Sequence, residues 1–344
     1  MKNRLLVLLS AFVCAVMLSS CTGGAVTENS SVDENGSSSA QSETFEGAEV
    51  KIATLNGPTT IGAVSMLKSE DTVNTYKYDQ IYAKADAFAP SLLKNEINAA
   101  IIPCNAAATL HKNSGGKIKI AAVNNLGVLY ILEKGETVKS VEDLRGKTIV
   151  STGAGTTPQY SLEYVLKKNG LEVGKDVTVE YKSEPTEVLA ALKKGNASIA
   201  MLPQPAATNA LGAVEGLRTA LNLTEEWEKV DKISSLVTGV LVVNSAWAES
   251  NPEAVKALLK DYKASCEKAN DDVKTVASYV TELKIAGITN EAVAEKAIPL
   301  CNIKYIDGEE MKATVSGYLK VLYESNPKSV GGEEPTDALY YIAE

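Results

Sequence analysis

The chain has 344 residues, long enough for two domains rather than one. With 45% hydrophobic and 22% charged residues it is neither a disordered nor a fibrous protein. A formal charge of −9 argues against a general binder of nucleic acid or anionic membrane, and one histidine, His111, removes most His-based metal clusters and leaves little for a His-dependent triad.

Lys2 and Arg4 precede the apolar run Leu5 to Leu18, the layout of a secretory signal. The run falls short of the roughly 20 apolar residues needed to span a bilayer. Leu18-Ser19-Ser20-Cys21 resembles a bacterial lipobox, which implies cleavage before Cys21 and lipidation of its thiol. A plain signal peptide with an incidental cysteine is the alternative. Residues 21–47 are rich in Ser, Gly, Asn and Glu, a composition that cannot offset its own ordering entropy and reads as a flexible tether.

From residue 48 strand and helix patterns alternate. Val50–Leu55 is a strand candidate closed by Asn56-Gly57-Pro58, with a helix expected through Leu67. A second strand is expected over Tyr78–Ala85, a helix over Pro90–Asn98 and a buried strand over Ala99–Ile102. Ile118–Val123, Gly127–Leu132 and Lys147–Ser151 follow as strands. A helix is expected over Pro158–Asn169, with Thr157 as N-cap, Pro158 at its first position and Gly170 just past its end. Leu236–Val243 is the last expected strand. A mostly helical tail follows, with Asn251 capping a helix at Pro252 and Met311, Val315, Leu319 and Leu322 forming an apolar stripe. Such interleaving points to an α/β fold with a largely parallel sheet.

The stretch 92–107 resembles 192–207, with identical pairs Leu92/Leu192, Lys94/Lys194, Ala100/Ala200, Pro103/Pro203, Ala106/Ala206 and Ala107/Ala207. Shared helix–strand grammar explains part of this; two similar lobes explain it whole. The expected division is lobe I over 48–134 plus 236–344 and lobe II over 135–235, with hinge crossings near 134–140 and 236–240. Ligands of open α/β sheets bind outside the carboxyl ends of the strands. The candidate loops are therefore 56–60, 103–105, 152–157 and 203–205.

Within them Thr59, Thr60, Thr156 and Thr157 supply hydroxyls, while Gly57, Gly153 and Gly155 allow close backbone approach beside Asn56 and Pro58. Asn105 and Gln204 supply amides, and Tyr160 either walls the cleft or packs in the core. Cys104 lies in a loop but is equally a small buried thiol. Each threonine alone could be a simple cap. Cys266 and Cys301 could pair in an oxidising compartment, and His111 reads as a surface helix residue.

Ser140-Val141-Glu142-Asp143-Leu144-Arg145-Gly146-Lys147-Thr148-Ile149-Val150-Ser151-Thr152-Gly153 resembles the phrase that opens the second lobe of type 2 periplasmic-binding proteins. Glu96–Pro103 and Met201–Pro205 resemble their loop-bearing strands. With the lipobox, the chain is similar to solute-binding lipoproteins of ABC importers, in the branch handling nitrate, sulfonates, taurine and thiamine precursors. The resemblance implies a two-lobed α/β fold with a cleft and hinge, and a monomer lipid-anchored at the extracytoplasmic face of the cell membrane. It also implies a small-molecule solute and a permease as partners, no nucleic acid, no cofactor and no metal. Of the three arginines, Arg4, Arg145 and Arg218, none occupies a candidate loop, which disfavours an amino-acid carboxylate. A small neutral or weakly anionic organic molecule fits better, with a sulfonate or other oxyanion next. An enzyme on the same fold and a ligand-sensing lipoprotein without a transport role stay open as alternatives.

Overall fold

Short apolar runs rich in Val, Ile and Ala build two separate sheets in the computed structural model, which describes residues 45–68 and 71–343. The expected signal, the lipidated Cys21 and nearly all of the tether lie outside the described residues. Among the described residues, no helix is long and apolar enough to cross a membrane.

The strands are β1 (Glu49–Leu55), β2 (Thr75–Lys77), β3 (Ile81–Tyr82), β4 (Ala99–Pro103), β5 (Ile118–Leu126), β6 (Leu129–Lys134), β7 (Thr148–Ser151), β8 (Thr178–Tyr181), β9 (Ile199–Pro203), β10 (Leu217–Asn222), β11 (Val237–Asn244) and β12 (Ile303–Asp307). The first sheet runs β12-β5-β11-β4-β1-β2, with β3 also on β1; the second runs β10-β6-β9-β7-β8. Ala99, Ala100, Ile101 and Ile102 are all fully buried, as a central strand covered on both faces requires.

The repeated stretches occupy matching places. In the first sheet β4 lies between β1, parallel, and β11, antiparallel; in the second, β9 lies between β7, parallel, and β6, antiparallel. Ala100 and Ala200 pair with Ala53 and Val150 of the strands that precede the threonine-bearing loops. Pro103 and Pro203 pair with Gly239 and Leu129 at corresponding strand ends.

Several expectations shift. The chain passes from the first sheet to the second between Leu126 and Leu129, not near 134–140, because Leu129–Glu133 pair antiparallel with β9 in the second sheet. Residues 129–134 therefore leave lobe I and join lobe II. The return crossing lies between the helix Leu223–Val230 and β11. The expected strand over 78–85 shrinks to β3, with β2 just before its start, since Tyr78-Asp79-Gln80 leaves the ladder between two contacts with β1. The helix expected over 90–98 is only Ala89–Leu93, ended by Asn95 at φ 62°. The helix expected through Leu67 is two turns, Pro58–Ile61 and Val64–Leu67.

The tail does return to lobe I. Met311, Val315, Leu319 and Leu322 on the helix Gly308–Ser325 are fully buried in a core that also contains Ile118, Ile120, Val240 and Val242 of the first sheet. Strand β12, which carries the edge of that sheet, escaped the periodicity reading.

Candidate functional site

The lobe I loops begin where β1 and β4 end. Thr60 is fully buried: its hydroxyl donates to the Leu55 carbonyl and accepts from Thr54 Oγ1 at 2.5 Å. Thr59 is buried too, and its carbonyl accepts from Asn124 Nδ2 at 2.5 Å. Asn56 is exposed and accepts from the Ala286 amide, away from the other loops, while Gly57 and Pro58 start the short helix. Cys104 opens the helix Cys104–Ser114 inside the core, and burial pushes its thiol well above the ordinary range. His111, on the same helix, is half-buried and donates Nδ1–H to the Ile118 carbonyl at 2.6 Å.

The lobe II loops repeat the theme. Gly153 and Gly155 both take positive φ, 82° and 73°, which brings the chain around into the helix Thr157–Lys168. Thr156, not Thr157, is the N-cap, so Pro158 sits at the second helical position, and Thr156 Oγ1 donates back to the Gly153 carbonyl at 2.8 Å. Gln204 is buried and accepts from the Thr208 amide and hydroxyl, so it caps the helix Ala206–Ala213. Tyr160 is half-buried against the core.

One contact joins the loops of the two lobes. Thr157 Oγ1 donates to Asn105 Oδ1 at 3.1 Å, both residues being buried, and Asn105 Nδ2 donates to the Ser329 carbonyl at 3.3 Å. Ser161 with Tyr318 and Tyr130 with the Leu300 carbonyl, at 3.4 and 3.1 Å, add further links between the lobes. These contacts hold the two lobes against one another. Two surface hollows, about 630 and 670 Å³, line the helix Thr157–Lys168 through Tyr164, Lys167 and Glu163, and neither contains a loop residue.

The described arginines serve structure. Arg145 pairs with Asp176 and donates to the Gly170 carbonyl. Arg218 meets Glu133 at 2.5 Å and the carbonyls of Gly135 and Val138. Burial raises the Glu133 carboxyl, but hydrogen bonds from Thr137, Val138 and Arg218 outweigh it and hold the group below the usual carboxylate range. Cys104, Cys266 and Cys301 are all free and buried, so the pairing left open for the last two is not made.

The sequence reading missed a polar floor beside these loops. Where β5 meets β11 the register slips, so that Gly239 faces Asn125 while Val240 faces Val123 and Asn124 is the extra residue. Asn124 and Asn125 are fully buried at the carboxyl end of β5, next to Thr59 and in line with Pro103 across Gly239. The only trace in the sequence is an Asn-Asn pair ending an apolar strand.

No curated protein matches the chain in sequence. In structure it is similar to an ABC transporter from Parabacteroides distasonis, at 25% identity and TM-score 0.72, covering 86% of this chain and 99% of that one. It is also similar to the periplasmic aliphatic sulphonate binding protein SsuA from Escherichia coli, at 15% identity and TM-score 0.66, covering 83% and 96%. The periplasmic nitrate-binding protein NrtA from Synechocystis PCC 6803 matches at 14% identity and TM-score 0.55, covering 77% and 75%. The family model for the phosphonate periplasmic substrate-binding protein of ABC transporters matches residues 79–296, more than half of the chain. With two sheets of matching strand arrangement, the chain belongs to that family of ABC transporter substrate-binding proteins.

Proposed function

We propose that the protein captures a small organic oxyanion, of phosphonate or sulfonate type, between its two lobes and hands it to a membrane permease. The observation that carries this reading is the Thr157–Asn105 hydrogen bond, which links a strand-end loop of one lobe to a strand-end loop of the other. The four loops contain no charged residue, so backbone N–H groups would hold the anionic head in place of arginine. The oxyanion preference rests on the family match and on the sulphonate- and nitrate-binding neighbours, and it moves the emphasis away from a neutral heterocycle.

Differential affinity for the closed form drives closure. Titration calorimetry with simple alkylphosphonates and alkylsulfonates should give binding without chemical change, and small-angle scattering should show a smaller radius with bound solute. Thr157→Val leaves the Asn105 acceptor buried and unpaired only when the lobes close, so affinity should fall about five- to fifty-fold. Turnover of the solute, or an unchanged radius on binding, contradicts the reading.

The lipobox-like Leu18-Ser19-Ser20-Cys21 supports anchoring through Cys21 at the extracytoplasmic face, with the monomeric body held on its tether near the permease. Cys21→Ser should move the protein from the membrane fraction to the soluble one; continued membrane retention contradicts the anchor.

A further inference from the structure

One face of a single helix carries a meeting of the two lobes along its whole length. Thr157, Ser161, Tyr164 and Lys168 of the helix Thr157–Lys168 are spaced by four, three and four residues, so they fall on one side of it. At its start Thr157 donates to Asn105 of lobe I. One turn on, Ser161 Oγ lies 3.4 Å from the Tyr318 hydroxyl of the helix Gly308–Ser325, which packs on the first sheet. At the far end, roughly 16 Å from Thr157 by helical rise, Tyr164 and Lys168 line the hollow of about 630 Å³, whose other wall is Lys320 and Val321 of that same tail helix. A stiff rod held in its middle rocks, so that lifting one end lowers the other. Parting Thr157 from Asn105 about the Tyr318 contact therefore drives Tyr164 and Lys168 toward Val321 and narrows the hollow.

Two residues beside the hollow suit such a movement better than they suit the arrangement seen. Gly317 lies inside the helix Gly308–Ser325, where glycine weakens a helix relative to alanine. Beyond its own helix, and among the described residues, a Cβ built there would meet only Ser234 of the return crossing, at 3.6 Å, an ordinary contact. This arrangement thus has room for a methyl group and does not account for the glycine, whereas a crossing that moves closer does. Ile233, on the rim, is 97% exposed and is held there by the turn in which Asp231 accepts from its amide. A narrower hollow covers apolar surface that is otherwise left in water.

Resting on the two-lobed capture read above, we propose that the helix Thr157–Lys168 rocks on Tyr318 as the lobes part, and that the hollow beside Gly317 is the clearance this rocking consumes. Filling the hollow then holds Thr157 on Asn105. A solute that binds this arrangement gains affinity, because less of its binding energy goes into selecting it.

Val321→Trp fills the hollow and Gly317→Ala takes up the clearance, and neither residue belongs to a strand-end loop. Small-angle scattering on the purified, solute-free protein should give both variants a smaller radius than the unaltered protein. The tryptophan variant should approach the radius that ethylphosphonate induces in the unaltered protein. Calorimetry should show Val321→Trp binding ethylphosphonate about three- to tenfold tighter. Gly317→Ala should also melt at a higher temperature, since alanine favours the helix and has room there. An unchanged radius in both variants, or a larger one in Val321→Trp, overturns the proposal. So does weaker ethylphosphonate binding by a compact variant, or a lower melting temperature in Gly317→Ala, which would put the tight contact in the arrangement seen. Smaller radii with no binding of ethylphosphonate or ethanesulfonate by any of the three proteins would leave the clearance standing and overturn the oxyanion reading instead.

Discussion

Trp227→Ala should destabilise the protein by about 3–5 kcal/mol, the range for removing a fully buried large aromatic. Trp227 sits on the helix Leu223–Val230 just before the chain returns to lobe I, and it is completely buried. Its ring packs on Tyr164 at 4.4 Å and on Tyr318 at 5.6 Å between centroids. Tyr164 belongs to a lobe II helix and Tyr318 to the returning tail, so the three rings join the two lobes. The indole N–H donates to the carbonyl and hydroxyl of Ser234, at 3.2 and 3.1 Å, inside the return crossing. Asp231 orders the same crossing by accepting from the Ile233 and Ser234 amides, the Ser234 hydroxyl and Tyr164. Burial would raise that carboxyl, but these bonds outweigh it and hold it at about 2, so it is charged at neutral pH.

Loss of the indole thus opens a cavity and frees Ser234 at once. Urea unfolding followed by circular dichroism measures the effect, because the substitution removes one of only two tryptophans and with it much of the fluorescence. Trp227→Phe should recover a large part of the loss by restoring the ring contacts without the N–H. A loss below about 1 kcal/mol in the alanine variant would show that the aromatic trio is not what holds the crossing.

The strands were legible wherever burial on both faces makes the sequence continuously apolar. Ala99–Ile102, Ile118–Val123 and Leu236–Val243 all sit in sheets close to where their composition puts them. The repeat was legible for the same reason, since Pro103 and Pro203 mark the ends of strands in equivalent surroundings. Which sheet a strand joins was not legible. Leu129–Lys134 follows Ile118–Leu126 after two residues and has the same apolar character, yet it pairs with a strand some seventy residues further on. Tyr78–Ala85 misled because its tyrosines and isoleucine favour strand while Asp79 and Gln80 interrupt the ladder.

The threonine loops do precede helices, and the off-by-one cap at Thr156 reflects proline's tolerance at either of the first two helical positions. The asparagine floor was beyond reach. Asn124 and Asn125 fall just past the expected strand Ile118–Val123, and only the fold brings Gly239 and Thr59 against them. Chemistry assembled from residues so far apart leaves no local pattern.

Gly239→Val should abolish solute binding and lower stability by about 1–3 kcal/mol, the usual cost of overpacking a buried site. Intrinsic strand preference predicts the opposite sign, because valine suits a central strand and glycine weakens one. β11 is central, with β4 on one side and β5 on the other, so a position governed by propensity alone would gain from the change. The local geometry decides otherwise. Even the first added carbon would meet two asparagine oxygens at 2.3 Å and a threonine methyl at 2.7 Å, distances no real Cβ contact sustains. Relief requires both amides to swing away, which breaks the Asn124–Thr59 hydrogen bond and pulls Thr59 out of register with the loop it anchors.

Gly239→Ala should reproduce the loss of binding with a smaller loss of stability, since it adds the clashing carbon without valine's branches. Thermal denaturation and calorimetry on the two variants read both effects. Undiminished binding in Gly239→Val would show that the solute site does not depend on the place of Thr59, and a raised melting temperature would show that the close approach at Gly239 is not a constraint on the fold.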